Sequence, residues 1–195
     1  MRAPKILVFA GSIRTGSFNA RLAALVVKEL ALAEADVTRI SLQDYPLPIY
    51  DGDLEVKSGP PDNAVKLKRM LMLYQGVFIT SPEYNASIAP LLKNTLDWIS
   101  RVREDGEQPY AAFRNRVFAL GAATNGPWGG MRSLMALRQT LEIGMGALVL
   151  PEQVAVREAS KAFDDRDNLI EERAAGALKA AVRRLVETAR QMHTG

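Results

Sequence analysis

Residues 5–19, KILVFAGSIRTGSFN, decide the fold. Lys5 to Ala10 form a short apolar run that stops at Gly11. A continuous run of that length suits a strand buried on both faces, as in a parallel sheet. Over residues 18–33, Leu22, Leu25, Val26 and Leu30 recur at helical spacing. The stretch therefore reads as strand, polar loop and helix, the opening half of a βαβ unit.

The same cycle repeats outward from it. Residues 36–42 alternate as a strand, and a loop rich in Pro46, Pro48, Gly52, Gly59, Pro60 and Pro61 follows. The spacing predicts a helix over 62–74, a strand at 77–80 and a helix over 89–102 with Leu92, Leu96 and Ile99 inward. A polar loop at 103–115 leads to a strand at 116–121, a glycine-rich loop at 124–130 and a helix over 131–143. The last strand, 146–151, is expected to end at Pro151, and a polar connection leads to a helix over 168–191. Five strands alternating with five helices predict one α/β domain over residues 1–195, a parallel sheet with helices on both faces. Such sheets bind ligands beyond the strand C-terminal ends, where the strand order reverses. The loops after residues 10, 80 and 121 are thus the places for chemistry.

Composition narrows that chemistry. Of 195 residues, 48% are apolar and 24% charged, so the chain can bury a core. There is no cysteine, which excludes disulfides, thiolate metal sites, iron–sulfur clusters and cysteine nucleophiles. The one histidine, His193, falls in the last residues, where fraying is expected, so neither a histidine triad nor a metal site is expected. The net charge of +3 contains no run of five like charges, which gives no dedicated nucleic-acid face. No run approaches the ~18 apolar residues of a membrane span. The first residues lack the long apolar stretch and cleavage site of a signal peptide, so a cytoplasmic location is expected.

The first loop, Gly11 to Asn19, holds three hydroxyls, Arg14 and Asn19 at a helix N-terminus, chemistry suited to a phosphate. A plain turn capped by Ser17 explains one of those residues but not the set. Gly11 and Gly16 match GxxxxG, yet Ser17 and Phe18 stand where a nucleotide triphosphatase needs lysine and Ser/Thr. The second loop, Thr80 to Ile88, carries Glu83, Tyr84 and Asn85; Tyr84 could cover a planar ring. Glu83 as a general acid/base is the weaker alternative, because no second carboxylate pairs with it in sequence. The third loop, Thr124 to Arg132, has three glycines that allow a close backbone approach, with Trp128 and Arg132 open to ligand or subunit contacts. A phosphate grip, an aromatic plane and a permissive wall together fit a flat heterocycle on a single phosphate.

These residues resemble the NADPH-dependent FMN reductase family of the flavodoxin-like fold, which includes bacterial chromate and quinone reductases. GSIRTGSFN at 11–19 is similar to the family's phosphate loop and SPEYN at 81–85 to its flavin-ring loop. LKNTLDW at 92–98, GG-x-R at 129–132 and Pro151-Glu152 are similar to later family positions. The resemblance implies a flavodoxin-like three-layer sandwich of strand order 2-1-3-4-5, bound FMN, and hydride transfer from NADPH or NADH to flavin N5. It implies that Ser12, Arg14, Ser17 and Asn19 hold the FMN phosphate, with Phe18 beside it. Pro82, Glu83, Tyr84 and Asn85 would border the ring, and Thr124 its other side. No side chain is required as a covalent catalyst; Tyr84 and Glu83 would position the ring. Quinone, chromate, azo dye, ferric chelate and free flavin all stay open as acceptor. Family members are often dimers or tetramers built on the helices near 89–101 and 131–143. Trp98 and Ile99 suit such a contact, and Trp98 equally suits the core. Met135 stands where the related chromate reductases carry a tyrosine. The alternative function is a flavodoxin-type electron carrier without nicotinamide turnover. The +3 charge argues against it, since such carriers are typically acidic.

Overall fold

The computed structural model describes residues 3–192, so His193 lies outside the described residues. The chain runs β1 (Lys5–Ala10), α1 (Phe18–Leu32), β2 (Asp36–Ile40), α2 (Gly52–Ser58), α3 (Asp62–Met72) and β3 (Gly76–Thr80). It continues with α4 (Pro90–Arg101), β4 (Val117–Ala123), α5 (Met131–Gln139), β5 (Leu148–Val156) and α6 (Glu172–Gln191). A hairpin of two-residue strands, Glu83–Tyr84 and Ser87–Ile88, stands apart from the sheet. With the hairpin left out of the count, the five-stranded sheet has the order 2-1-3-4-5, every pair parallel.

Alternation along β1 explains the layers. Ile6 and Val8 face α1 and α6, where they meet Leu22, Val26, Val182 and Leu185. Leu7 and Phe9 face the other way, into a cluster with Leu67 of α3, Leu92 of α4 and Leu134 of α5. Both faces of β1 are buried, as the unbroken apolar run requires. No described helix is long and apolar enough to cross a membrane.

The structure departs from the sequence expectation in three places. β5 does not stop at Pro151 but runs on to Val156. Its register on β4 slips between Phe118, opposite Val149, and Leu120, opposite Gln153. Pro151, which has no N–H to give, sits in that bulge on an edge strand. The Pro/Gly-rich stretch contains α2, capped by the Asp51 carboxylate, which accepts from the Asp53 and Leu54 amides at 2.8 and 3.3 Å. The helix expected over 131–143 ends at Gln139 and passes into a π-helical turn, Thr140–Gly144. Trp98 is fully buried, stacked edge-on to Tyr50 at 5.0 Å, with its indole N–H donating to the Pro48 carbonyl at 2.7 Å. It is a core residue and leaves no surface for a subunit contact. The polar loop at 103–115 is pinned by Glu107, which pairs with the buried Lys68. That ammonium holds the Glu107 carboxyl below its ordinary range.

Two glycines place the start of α5. Gly129 and Gly130 have φ of +60° and +85°. A Cβ on Gly130 would fall 2.5 Å from the Ala122 Cβ, and one on Gly129 would fall 2.9 Å from the Ala155 carbonyl carbon of β5. We predict that Gly130→Ala lowers stability by about 3 kcal/mol, through left-handed strain plus overpacking. Gly16→Ala has a positive φ but open space around it, and should cost about 1 kcal/mol. Urea midpoints of the two variants check the difference.

Candidate functional site

The loops after β1, β3 and β4 meet at the C-terminal edge of the sheet. Backbone bonds carry the ladder past the strand ends: Gly11 N–H to Thr80 O at 2.7 Å, Ser81 N–H to Gly121 O at 2.8 Å, and Thr124 N–H to Val156 O at 3.0 Å. Asn19 ties the set together, through its side chain and its backbone carbonyl. Asn19 is buried; its amide donates to the Ala123 carbonyl at 2.9 Å and accepts from the Ala123 N–H at 3.0 Å. The Thr80 hydroxyl donates to the Asn19 carbonyl at 2.8 Å. Asn19 thus spans α1, β3 and β4. The resemblance implied that Asn19 helps to hold a phosphate. Asn19 lies at the second position of α1, where its side chain turns inward to the sheet and both of its polar atoms are spent on Ala123.

The first loop divides its polar groups between framework and surface. Ser17 is the N-cap of α1, its hydroxyl accepting from the Ala20 N–H at 3.3 Å. The capping reading of Ser17 therefore holds. Phe18 and Asn19 present their backbone N–H groups at the first two positions of α1, where a helix offers no internal acceptor. No acidic residue stands in that first turn, so the positive end of the helix is not offset there. Arg14 is exposed and lies back over the loop, donating to Thr15 O at 3.2 Å and Gly16 O at 3.3 Å, 5.9 Å from the Phe18 ring. The Ser12 hydroxyl accepts from the Arg14 N–H at 3.4 Å. The surface of this loop is a cation beside a helix N-terminus, a ready anion site.

The second loop is the hairpin. Its turn residues Asn85 and Ala86 both have positive φ, +50° and +63°, as a two-residue hairpin turn demands. Pro82 is buried, Tyr84 is 49% exposed, and Asn85 sits at the exposed tip. The Glu83 carboxylate does not face solvent. It accepts from the Arg132 Nε at 2.8 Å and from the Arg132 and Ser133 amides at 3.1 and 3.3 Å, and it pairs with the rest of the guanidinium. With four N–H donors on it, Glu83 is set as a tether rather than a general base.

In the third loop Thr124 is half-buried, and its carbonyl accepts from the Ala159 N–H at 3.1 Å. The Asn125 side chain accepts from the Ser160 N–H at 2.8 Å. Trp128 and Met135 are exposed. The polar connection after β5 thus closes onto this loop, and Arg21 of α1 reaches it too, donating to Asp164 O at 3.0 Å. A cavity of about 600 Å3 is lined by Ser87 and Ile88 of the hairpin, Asp97 of α4 and Ile143 and Met145 near the π turn; no residue of the first or third loop borders it.

Comparison with known proteins places this geometry. The family model described as NADPH-dependent FMN reductase matches residues 4–161. The chain is 31% identical over 175 residues to an NAD(P)H-dependent FMN reductase of Pseudomonas aeruginosa, covering 87% of this chain and 86% of the relative. It is 34% identical over 147 residues to a quinone reductase of Escherichia coli, covering 75% and 73%. A flavoenzyme NAD(P)H:acceptor oxidoreductase from Paracoccus denitrificans has the same fold, with a TM-score of 0.78 at 23% identity over 97% of this chain and 99% of that one.

Removing the Asn19 amide would strand a buried N–H and a buried C=O of Ala123. We predict that Asn19→Ala costs about 2–4 kcal/mol of stability, from two unpaired backbone groups. Equilibrium unfolding in urea measures it; a loss below about 0.5 kcal/mol would contradict the role assigned to this side chain.

Proposed function

The chain belongs to the NADPH-dependent FMN reductase family, and from that premise we propose that it passes hydride from NAD(P)H to FMN and on to a quinone-type acceptor. The observation that carries this reading is the first loop: an arginine beside a helix N-terminus whose first turn has no acid. A terminal phosphate ester is the ligand group which that donor set fits.

In this reading the side chains of Ser12 and Arg14, the cap region at Ser17, and the backbone N–H groups of Phe18 and Asn19 hold the phosphate. Pro82 and the backbone of Glu83, Tyr84 and Asn85 border the ring, and Thr124 stands on the other side. When bound, FMN supplies the redox chemistry, taking hydride from a nicotinamide and passing the electrons to an acceptor. The chain binds, orients and shields. Tyr84 presents a half-exposed ring. Its role is packing and substrate steering rather than proton transfer. A quinone is favoured as acceptor because relatives covering most of this chain carry that name.

We further propose a homo-oligomer, dimer or tetramer. Met135 on α5, Ile143 in the π turn and Leu148 at the start of β5 are exposed apolar side chains on neighbouring segments. A second copy would cover them.

Two outcomes are expected. Arg14→Ala should weaken FMN binding tenfold to a hundredfold, the scale of one charge-assisted hydrogen bond at ~1.5–3 kcal/mol. Quenching of FMN fluorescence measures it, and an unchanged affinity would overturn the phosphate assignment. Light scattering at micromolar concentration should give at least twice the mass of one chain. A monomer with full NAD(P)H:quinone activity would refute the oligomer.

A further inference from the structure

We infer that Glu83 and Arg132 form a latch that positions the ring-side hairpin, an inference that rests on the FMN reading above. Three observations carry it.

The first is that α5 begins without a cap of its own. Its N-cap is Gly130, which has no side chain, and its first turn, Met131-Arg132-Ser133, holds no acid. The N–H groups of Arg132 and Ser133 still need acceptors. Glu83, 49 and 50 residues away in sequence, provides both from the hairpin, at 3.1 and 3.3 Å. Its side chain is only 9% exposed, and its negative charge meets both the helix N-terminus and the guanidinium.

The second is that the hairpin cannot hold its own place. It has two residues per strand and two cross-strand pairs, Glu83 with Ile88 and Tyr84 with Ser87. Its turn puts Ala86 at φ +63°, a position that favours glycine. An isolated ribbon of this size has little stability. Its anchors are the Glu83 carboxylate and the buried Ile88, which face each other across its base.

The third is direction. Successive side chains on a strand point to opposite faces. With Glu83 held inward against α5, its neighbour Tyr84 must point outward, and it is 49% exposed. The anchor itself is firm, because Gly130 is wedged against Ala122 of β4. Glu83 therefore acts on the site through the hairpin: it is a positioning residue, and Arg132 is its counterpart.

The test compares wild type with Glu83→Gln, Arg132→Met and Arg132→Lys, at a temperature where all are folded. Glu83→Gln keeps the shape and one acceptor oxygen but loses the charge. Hydrogen exchange on FMN-free protein should speed up about tenfold or more at the amides of residues 84–87 and 132–133, as expected for loss of charge-assisted bonds. FMN dissociation constants should rise about tenfold in Glu83→Gln and Arg132→Met, with altered visible bands of the bound flavin. Arg132→Lys should restore most of the affinity, since it keeps the charge beside Glu83. Lower melting points alone, with FMN affinity, flavin bands and hairpin exchange all as in wild type, would reduce the pair to a helix cap and overturn the latch. Failure of wild type itself to bind FMN would overturn the cofactor reading, and hairpin exchange in Glu83→Gln would still decide whether the pair fixes the hairpin.

Discussion

The amide of Asn19 is the constraint on which the site depends. It returns both a donor and an acceptor to Ala123 at the end of β4, while the backbone carbonyl of the same residue accepts from the Thr80 hydroxyl at the end of β3. Loops that follow strands are the parts of an α/β fold free to move. Here three of them are joined at their roots by one buried side chain and a few backbone bonds. The joint fixes where α1 begins relative to the sheet, and so where its N–H groups point.

Most of the fold was legible because hydrophobic period and length agree. An apolar run of five residues, Ile6 to Ala10, bounded by Lys5 and Gly11, reads as a buried strand, and Leu22, Val26 and Leu30 read as one helix face. The misses share a cause, which is that the deciding contact lay elsewhere in the chain. Pro151 reads as a stop, but a bulge on an edge strand absorbs it. Helix α2 hides in a Pro/Gly-rich stretch because it depends on the Asp51 cap and on the Glu55 carboxylate, which receives Tyr50 and Arg101. Tyr50 there feels the Glu55 carboxylate and burial, which push its phenol upward.

The candidate site was legible as residue types and less so as roles. Ser17 sits directly before a helical period, and its capping role follows from that position alone. Asn19 carries no such local signal: an asparagine in an anion loop and one that braces the end of a strand look alike in sequence. Glu83 is similar. Its use depends on Arg132 and Ser133, far along the chain, and on Gly130 leaving α5 uncapped. A long-range clue did exist in the Gly129-Gly130 pair, since a helix entered through glycine must find its first acceptors somewhere else.

Two of the helix N-termini at this edge, those of α1 and α5, are treated differently by the chain. Both α1 and α5 begin at the ends of sheet strands, and neither has an acid in its first turn. Left alone, each would attract an anion. The chain fills one of them itself, with the Glu83 carboxylate on α5 and Arg132 sharing the charge. The first turn of α1 has no such internal carboxylate and stands beside Arg14. An internal carboxylate at α5 repels a second phosphate from that end as surely as it steadies the hairpin. In the proposed reading a mononucleotide, with its charge at one terminus and a neutral ring at the other, sets its phosphate at α1, while the α5 end is already neutralised by Glu83.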